Sequence, residues 1–339
     1  MDRAEQNREL PSIRTGIDWS VAAPLLVTHT LALLSPFFFT PAGLVLCVVT
    51  YVVSGFGVTV GAHRYFAHAS FATSPRAERV LTWLFLLSGQ GSPLRWVRDH
   101  RIHHAYSDVA GDPHSPHCGR AGRWRGFWHA QLGWLVQKVP TAHEEIALSR
   151  RFCPNFKRQH PYAASFHDRR RLLRFHLVAV ALAFLGGALW EARSLTGIAG
   201  GWYTGVSCVV WGIGFRSVFT LHVTSFVNSV THLWGSRNHE IADRSVNNPL
   251  VAAVSFGEGW HNNHHRNPWA ANHGFNTSRW EIDVSFALIY ALGRLGLVWN
   301  VRVHDPTTRS RVLLFPRVPA TQTAQPTAAT EAASDNAIQ

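Results

Sequence analysis

Four apolar stretches constrain the fold of this chain more than any other feature. A helix that crosses the hydrocarbon core of a bilayer needs about 20 mostly apolar residues. The segments that meet this requirement are residues 21–39, 42–60, 172–190 and 198–215. A short link, Thr40-Pro41, separates the first two segments, and a slightly longer link separates the second pair. We therefore predict an all-α integral membrane protein with four transmembrane helices.

Two shorter apolar runs need a different interpretation. Residues 80–87 are followed by two glycines and a proline, and residues 284–293 end at Arg294. Both runs are too short to cross a bilayer. We interpret the first as a re-entrant or interfacial helix and the second as a helix of the soluble part. A crossing at 80–87 would also put the histidine-rich segments before and after it on opposite sides of the membrane.

The distribution of basic residues predicts the orientation of the chain. Of the 32 Lys plus Arg residues, 17 lie within residues 62–171, against seven acids in the same segment. The links at 40–41 and 191–197 carry almost no basic residues. Because cytoplasmic loops are enriched in Lys and Arg, we expect residues 62–171, residues 217–317 and both termini on the cytoplasmic side of the cell membrane.

The two ends of the chain receive separate predictions. Residues 1–20 are polar and charged and lack the basic, apolar and small-residue order of a cleaved signal, so they read as a cytoplasmic N-terminal segment. Residues 21–317 are predicted to form the membrane domain. The tail, residues 318–339, is rich in Pro, Ala, Thr and Gln and is predicted to be disordered.

Composition limits the possible partners. The net charge of +12 suits nucleic acid, anionic lipid or an anionic substrate, but no nucleic-acid-binding module is visible. We therefore expect a lipid bilayer, and no nucleic acid, as a partner. The four cysteines lie far apart without a Cys-x-x-Cys pair, which argues against a disulfide framework or a zinc ribbon. The sequence also shows no flavin or nicotinamide fingerprint and no ferredoxin cysteine set.

Nine histidines form the most informative motif of the chain. Three groups have the sequences HRYFAH (63–68), HRIHH (100–104) and HNNHH (261–265). A single histidine lies between the second and third groups, in NSVTH (228–232). Residues three and four apart share one face of a helix. We therefore expect the three histidines of the second group to converge on one point, and those of the third group on another. The nine are His63, His68, His100, His103, His104, His232, His261, His264 and His265.

These residue types indicate a dimetal site. Neutral imidazole is a good donor to iron, zinc and copper, and nine histidines are too many for one metal and about right for two. Soluble di-iron enzymes use repeated Glu-x-x-His pairs, whereas only Glu258 and His261 have that spacing here. Structural zinc, often bound with cysteine, also fits poorly. Asp99, Asp108, Asp112 and Glu258 are candidates to accept the outer N–H of ligand histidines. An all-nitrogen dimetal site at a membrane face suggests oxygen chemistry on a lipid chain.

The order and spacing of the histidine groups resemble those of the membrane fatty-acid desaturases. Within that family the chain is similar to the Δ9 acyl-CoA (stearoyl-CoA) desaturase type, over about residues 21–303. The near-absence of lysine, two residues against 30 arginines, favours a bacterial source. The segments that carry the resemblance to the desaturases are GAHR (61–64), RDHRIHH (98–104), GDPHS (111–115), NSVTHLWG (228–235) and GEGWH (257–261).

This resemblance implies roles for individual residues. In the family, nine histidines bind two irons and an asparagine holds a water beside one of them, and these roles fall on the nine histidines above and on Asn228. The family also bends the acyl chain in a kinked tunnel, and Gln90, Trp96 and Thr224 match the residues that shape the kink. Arg98 matches a residue that contacts CoA, and pairing with Asp99 or with a lipid phosphate is an equal alternative.

The implied activity is O2-dependent Δ9 desaturation of a long-chain acyl-CoA to its cis-monounsaturated product at two ferrous ions. The implied fold is a cone-like bundle of four helices, capped by a helical cytoplasmic domain that holds the dimetal site. Electrons would come from a separate donor, such as a ferredoxin, a cytochrome or an NAD(P)H reductase. An acyl-lipid desaturase and a fatty-acid hydroxylase of the same superfamily stay open as alternatives.

A metal transporter or a haem-binding membrane protein is an interpretation from a different class. Transport would need polar ligands within the spans, and only His29, His176 and His222 come close. Six histidines of the middle segment are not predicted to be ligands. They are His114, His117, His129, His143, His160 and His167.

Overall fold

The structure is a computed structural model that describes residues 16–118, 122–137, 141–191, 197–275, 280–305 and 310–315. These residues are predominantly helical, as predicted. The predicted disordered tail and residues 1–15 of the predicted N-terminal segment lie outside the described residues. The α-helices are α1 (Trp19–Leu33), α2 (Pro41–Phe56), α3 (Pro75–Leu87), α4 (Pro93–Tyr106), α5 (Arg123–Trp128), α6 (Ala142–Phe152), α7 (Phe156–Gln159), α8 (Pro161–Ala164), α9 (Arg169–Glu191), α10 (Gly197–Val209), α11 (Arg216–Ser229), α12 (Pro249–Val254), α13 (His261–Arg266) and α14 (Val284–Arg294).

Four continuous helical segments are long and apolar enough to cross a membrane, in agreement with the predicted number. They are Trp19–Phe37, Pro41–Ala67, Arg169–Glu191 and Gly200–His232. Only 6% of the apolar window is buried in the first and third segments, against 44% in the second and fourth. The second and fourth segments therefore form the inner part of the bundle, and the other two leave most of their apolar surface for lipid.

The two inner segments extend well past their predicted ends, which were residues 60 and 215. The second continues from α2 through a π-helical stretch, Gly57–Ala67. The fourth continues from α10 through a π-helical stretch, Val210–Phe215, then α11 and a 3₁₀ turn that ends at His232. The apolar pattern marks only the lipid-facing length of each helix, so it defines the predicted spans and not these extensions. They carry His63 and His232 to the histidine clusters.

The stretch Gly57–Ala67 is the centre of the fold. It contributes residues to all three buried apolar clusters: Val60 to one, Phe66 and Ala67 to the second, and Val58 and Ala62 to the third. Helix α3 packs directly on this stretch, because a Cβ at Gly57 would overlap the backbone carbonyl of Leu84. Close packing on several sides fixes the backbone that holds His63.

The two shorter apolar runs form helices that are too short to span. Helix α3 has 13 residues and begins at an N-cap, Ser74, that accepts from the backbone N–H of Ala77. Helix α14 has 11 residues, and its N-cap Asp283 accepts from the N–H of Phe286. At 1.5 Å per residue neither reaches across about 30 Å of hydrocarbon.

The all-α prediction omitted two small antiparallel sheets. Strand β1 (Ala72–Thr73) pairs with β2 (Val298–Trp299), and β3 (Val301–Val303) pairs with β4 (Arg311–Leu313). Each strand is two or three residues long, so no alternating pattern of useful length exists in the sequence. The pairing of β1 with β2 joins segments more than 200 positions apart and anchors residues 298–303 beside the segment that follows the first histidine group.

Candidate metal centre

Five of the nine histidines come together in one group, which we call cluster A. Nε2 of His264 lies 3.1 Å from Nε2 of His63 and 3.0 Å from Nε2 of His104. The Nε2 atoms of His68 and His100 are 2.7 Å apart. One nitrogen from each residue lies within 4.8 Å of all the others. The members of cluster A are His63, His68, His100, His104 and His264.

The other four histidines form cluster B. Nε2 of His103 lies 3.3 Å from Nε2 of His265, and the Nε2 atoms of His232 and His261 are 3.1 Å apart. These four also meet the 4.8 Å limit. The clusters are neighbours, because the rings of His104 and His265 are 4.6 Å apart. The structure thus collects all nine predicted histidines into two adjoining nitrogen-lined sites.

Each of the two His-x-x-His-His groups serves both clusters, so the expectation that each converges on one point is wrong. On α4, His100 and His104 join cluster A while His103 joins cluster B. On α13, His264 joins cluster A while His261 and His265 join cluster B. Consecutive residues of a helix point about 100° apart. The adjacent histidines of each group therefore face different sites, and the i, i+4 pair shares one.

Carboxylates hold four of the nine imidazoles from behind, at Nδ1. Three of the four predicted carboxylates do this: Glu258 binds His63 at 2.5 Å, Asp112 binds His103 at 2.9 Å, and Asp108 binds His232 at 2.8 Å. Asp99 does not, because it pairs with Arg98 at 2.7 Å. The fourth partner is Asp243, which binds His265 at 2.9 Å. Asp243 lies in a polar loop without a motif, so no sequence signal pointed to it.

These contacts fix the direction of the imidazole lone pairs. An ionised carboxylate only accepts hydrogen bonds, so each held imidazole donates from Nδ1 and turns the lone pair on Nε2 inward. His103 and His265 are both held in this way, yet their Nε2 atoms face each other at 3.3 Å. Two lone pairs at this distance repel unless a proton or a metal ion lies between them. The donor chemistry of the site therefore fits a bound metal ion.

The protonation behaviour supports the same conclusion. Burial and the neighbouring imidazoles hold the pKa of five candidate ligands well below the ordinary value. They are His68, His100, His104, His261 and His264. Burial lowers the pKa of His265 to about 4. Metals bind the neutral imidazole, so these residues need not lose a proton first. Burial also acts on His103, but Asp112 outweighs it and raises the pKa of His103.

An apolar pocket borders both clusters. Its walls come from the second and fourth spanning segments and from the turn before α13. His63 and His100 of cluster A and His103 and His261 of cluster B contribute to the lining, as does Asn228. Thr220, Thr224 and Asn228 recur every four residues and so share one face of α11. The apolar lining residues include Tyr51, Val58, Val223, Val227, Val254 and Phe256.

The three residues expected to shape the kink are hydrogen-bonded to one another beside this pocket. Trp96 Nε1 donates to Gln90 Oε1 at 3.1 Å, and Gln90 Nε2 donates to Thr224 Oγ1 at 2.8 Å. The Trp96 ring also stacks on His100, with centroids 5.1 Å apart. These hydrogen bonds and the ring stacking connect the pocket wall to cluster A. A substitution of one of these side chains would therefore alter the packing around His100 at the candidate metal site.

Arg98 has a different environment from the one expected of an open phosphate site. It is 2% exposed and pairs with Asp99 at 2.7 Å and Glu145 at 3.1 Å. Two carboxylates therefore already neutralise its charge. The pairing with Asp99, one of the alternatives left open by the sequence, is present in the structure, and the CoA contact stays a prediction.

Two further histidines flank the clusters. His114, not predicted as a ligand, is 5% exposed and packs its ring 4.3 Å from that of His103. His273, which the sequence interpretation did not consider, is fully buried between His63 and His264, with ring centroids at 5.2 and 4.5 Å. A single histidine in Asn-His-Gly carries no spacing signal, so only the fold reveals its position.

The histidines within the spans do not form a comparable site among the described residues. His29 and His222 approach each other with Nε2 atoms 3.4 Å apart, and the amide of Gln131 contacts His222 Nδ1 at 2.9 Å. His29 Nδ1 lies 2.7 Å from the carbonyl of Leu25. All four ring nitrogens thus have close protein partners, which disfavours the transporter interpretation.

Together the four candidate spanning segments and the two nitrogen clusters indicate the class of membrane proteins with histidine clusters that could hold metal ions. Residues 35–282 match the family model described as fatty acid desaturase. Since this match covers most of the chain, the protein belongs to the fatty acid desaturase family.

Several curated relatives align over nearly the whole chain. The sn-1 stearoyl-lipid 9-desaturase of Anabaena variabilis is 34% identical over 297 residues, which cover 87% of this chain and 97% of the relative. The Delta-9 acyl-lipid desaturase 2 of Arabidopsis thaliana is 33% identical, covering 88% and 87%. The icosanoyl-CoA 5-desaturase of Limnanthes douglasii is 34% identical, covering 86% and 74%. The relatives' names thus include both lipid-linked and CoA-linked substrates, and the finer assignment to the acyl-CoA type does not follow from them.

Proposed function

We propose that this protein is an O2-dependent Δ9 desaturase that converts a saturated long-chain acyl group to the cis-monounsaturated product. The observation that carries the proposal is the apolar pocket bordered by histidines of both clusters. A hydrocarbon chain in that pocket would lie against the candidate metal site without competing water. The Δ9 position is supported by the names of two relatives.

Two iron ions are the proposed cofactor, one held by cluster A and one by cluster B, with Asn228 positioning a water. Bound iron would supply the oxidising power needed to remove hydrogen from an unactivated methylene with O2. The protein's own groups orient the site. Glu258, Asp108, Asp112 and Asp243 fix imidazole tautomers, and such partners are worth about 10–100-fold in metal affinity or activity.

The pocket residues would position the substrate. A chain bent at the Gln90–Thr224 bridge would present one pair of methylenes to the iron site, and placement to a fraction of an ångström governs the rate of such steps. Trp96 would hold that bridge in register with cluster A because it bonds to Gln90 and stacks on His100.

An acyl lipid is the proposed substrate, in preference to the acyl-CoA expected from the sequence. Arg98, the residue that the resemblance assigns to CoA, is buried and paired with two carboxylates, so its charge is not free to bind a CoA phosphate. A lipid-linked acyl chain can enter from the bilayer without such a site. We propose that the protein lies in the cell membrane with its site and termini cytoplasmic, on the strength of the basic excess in residues 62–171.

Mass spectrometry of fatty acids from cells expressing this chain tests the proposal. We expect a new cis-Δ9 monoene with the intact protein and its loss in His264→Ala. The matched control is His143→Ala, which removes an exposed histidine of α6 and should leave the product unchanged. A hydroxylated product would move the assignment to the hydroxylase alternative. Equal products from both variants would contradict the assignment of cluster A.

Pulse labelling in the same cells identifies the head group to which the acyl substrate is linked. Pulse-labelled stearate should first become unsaturated in the glycerolipid fraction. Earlier labelling of unsaturated acyl-CoA would restore the acyl-CoA alternative.

A further inference from the structure

We propose that three arginines beside cluster B form a docking surface for a small acidic protein that carries single electrons. We call this surface the arginine rim, and it consists of Arg237, Arg244 and Arg266. The inference rests on the proposed function, because desaturation with O2 needs two electrons from outside the substrate. It adds the place of entry and the chemistry of the partner's surface.

The electron balance defines what the partner must deliver. Converting –CH2–CH2– to –CH=CH– releases two electrons and two protons from the chain. Reducing one O2 to two waters takes up four electrons and four protons. Two further electrons and two protons are therefore required per double bond. A one-electron carrier of the ferredoxin or cytochrome class must dock twice in each cycle.

Cluster B reaches the solvent through Asp243. The four carboxylates that hold candidate ligands differ in exposure: Asp112 is 0% exposed at its side chain, Asp108 3%, Glu258 7% and Asp243 14%. Asp243 Oδ2 is 2.9 Å from His265 Nδ1. A single hydrogen bond therefore separates the most exposed of these four side chains from an imidazole of the candidate metal site.

The arginine rim surrounds this route. Arg237 Nη2 donates to the backbone carbonyl of Asp243 at 2.9 Å. The backbone N–H of Arg244 donates to Asp108, and its Nη1 contacts His117 Nδ1 at 3.1 Å. Arg266 follows His265 directly in the chain. All three residues are exposed.

The charges of the rim are available to a partner. In the part of the chain that the structure describes, none of the three guanidinium groups pairs with a carboxylate. Glu240 is the only acid of residues 235–247 besides Asp243. Asp243 is already occupied by His265 and by the hydroxyl and N–H of Ser245. The surface therefore carries a net positive charge, which attracts an acidic partner and speeds its association.

The same surface is poorly suited to lie on a membrane. Within residues 235–247, the loop that carries Arg237 and Arg244, no large apolar side chain is exposed. By contrast, Leu250 and Trp280 are 78% and 65% exposed on neighbouring elements. Interfacial surfaces combine basic residues with exposed apolar side chains. The loop therefore lacks the apolar half of such an interfacial surface, which favours contact with an acidic soluble protein.

Kinetics with two electron donors test the inference. The metal-loaded full-length protein is placed in neutral phosphatidylcholine vesicles that contain stearoyl lipid, and alkene formation is followed with reduced acidic plant-type ferredoxin or with reduced methyl viologen. The variant is Arg244→Gln/Arg266→Gln, which leaves Arg237 and the loop carbonyls it binds in place. The matched control is Arg150→Gln/Arg170→Gln, two exposed arginines elsewhere on the chain.

We expect the rim variant to lower kcat/KM for ferredoxin by about tenfold or more, with the control variant unchanged. Added salt should slow the intact protein with ferredoxin and have little effect on the rim variant. Rates with the small cation methyl viologen should be equal in all three proteins. Arg244→Lys/Arg266→Lys should restore the rate with ferredoxin, because it restores the charge.

Other outcomes overturn the inference. Equal ferredoxin kinetics for the rim and control variants would exclude docking at this surface. A parallel loss with methyl viologen would show that the arginines act on the metal site itself. A defect that appears only in vesicles with anionic lipid would assign the rim to the membrane. If the intact protein forms no alkene with either donor, the proposed function itself fails, and the inference fails with it.

Discussion

At the scale of single residues, the carboxylates that contact the imidazoles at Nδ1 determine the tautomer and the ring orientation of the histidines in this site. Four histidines have an acid at Nδ1, while the Nδ1 atoms of His261 and His264 are buried without a hydrogen-bond partner among the described residues. An imidazole held on both sides keeps one tautomer and one ring orientation. The rings of His261 and His264 lack this second contact, so a bound metal would contribute more to fixing their orientation.

Asp243→Asn should weaken metal binding at cluster B by about 10–100-fold, because the neutral amide no longer holds the Nδ1–H of His265 as strongly. Competition with a coloured chelator on the purified protein measures the affinity. Glu240→Gln is the matched control, since it removes the other acid of the same loop and has no contact with a candidate ligand. Identical affinities for the two variants would contradict the positioning role of Asp243.

The pocket threonines offer a second comparison at the same scale. Thr224 Oγ1 accepts from Gln90 and donates to the carbonyl of Thr220, whereas the hydroxyl of Thr220 is buried without a partner among the described residues. Thr224→Val should therefore lower the free energy of unfolding by about 1 kcal/mol or more and relax the position of the double bond. Thr220→Val should be neutral or stabilising.

Thermal unfolding in detergent and mass spectrometry of derivatised alkenes give the two readouts for the threonine variants. An unchanged double-bond position in Thr224→Val would argue against the kink assignment. A loss of stability in Thr220→Val as large as that in Thr224→Val would argue that shape, and not the hydrogen bond, matters at this wall.

At the scale of elements, the sequence specified the helices better than the partners of their side chains. The four spans and the helical spacing of the histidine groups follow from patterns within about 20 residues, which is the range over which periodicity acts. The division of each group between two clusters depends on where α4 and α13 lie relative to each other. Asp243 and His273 reach the site through loops that carry no periodic pattern, so local sequence could not reveal them.

Gly57→Ala tests how tightly the central element is packed. The added methyl would overlap the backbone of Leu84, so α3 must shift away from the stretch that carries His63, and both stability and metal content should fall. Gly186→Ala is the control within another helix, α9, where a Cβ meets no atom within 4 Å. That change should leave the melting temperature unchanged or raise it slightly, because Ala favours helix over Gly.

Metal content per chain and the melting temperature of the detergent-solubilised protein measure both glycine variants. Equal behaviour of the two would show that α3 is free to move, and the packing argument for a rigid His63 backbone would then be wrong.

At the scale of the whole molecule, charge and hydropathy together predict a topology. The inner segments place the candidate ligands His63 and His232 at their C-terminal ends. The second and fourth segments run in the same direction, so both ends lie on one side of the bilayer. The arginine-rich residues 62–171 follow the second segment directly, and the positive-inside rule assigns that side to the cytoplasm.

Cysteine labelling tests this topology. Cys118 is part-exposed, and Cys47, Cys153 and Cys208 are buried, so a membrane-impermeant maleimide should react with Cys118 alone. Burial raises the pKa of the Cys118 thiol, so the reaction is run at mildly alkaline pH. We expect labelling in inside-out vesicles and none in right-side-out vesicles.

Phe39→Cys in a Cys118→Ser background places a thiol in the link between the first two spans, where Phe39 is 49% exposed, and should give the opposite pattern. If both labelling patterns are reversed, the orientation of the protein in the membrane is the opposite of the predicted one. Labelling of both positions from the same side would mean that the second segment does not cross. In that case the candidate metal centre would lie on the same side as the link.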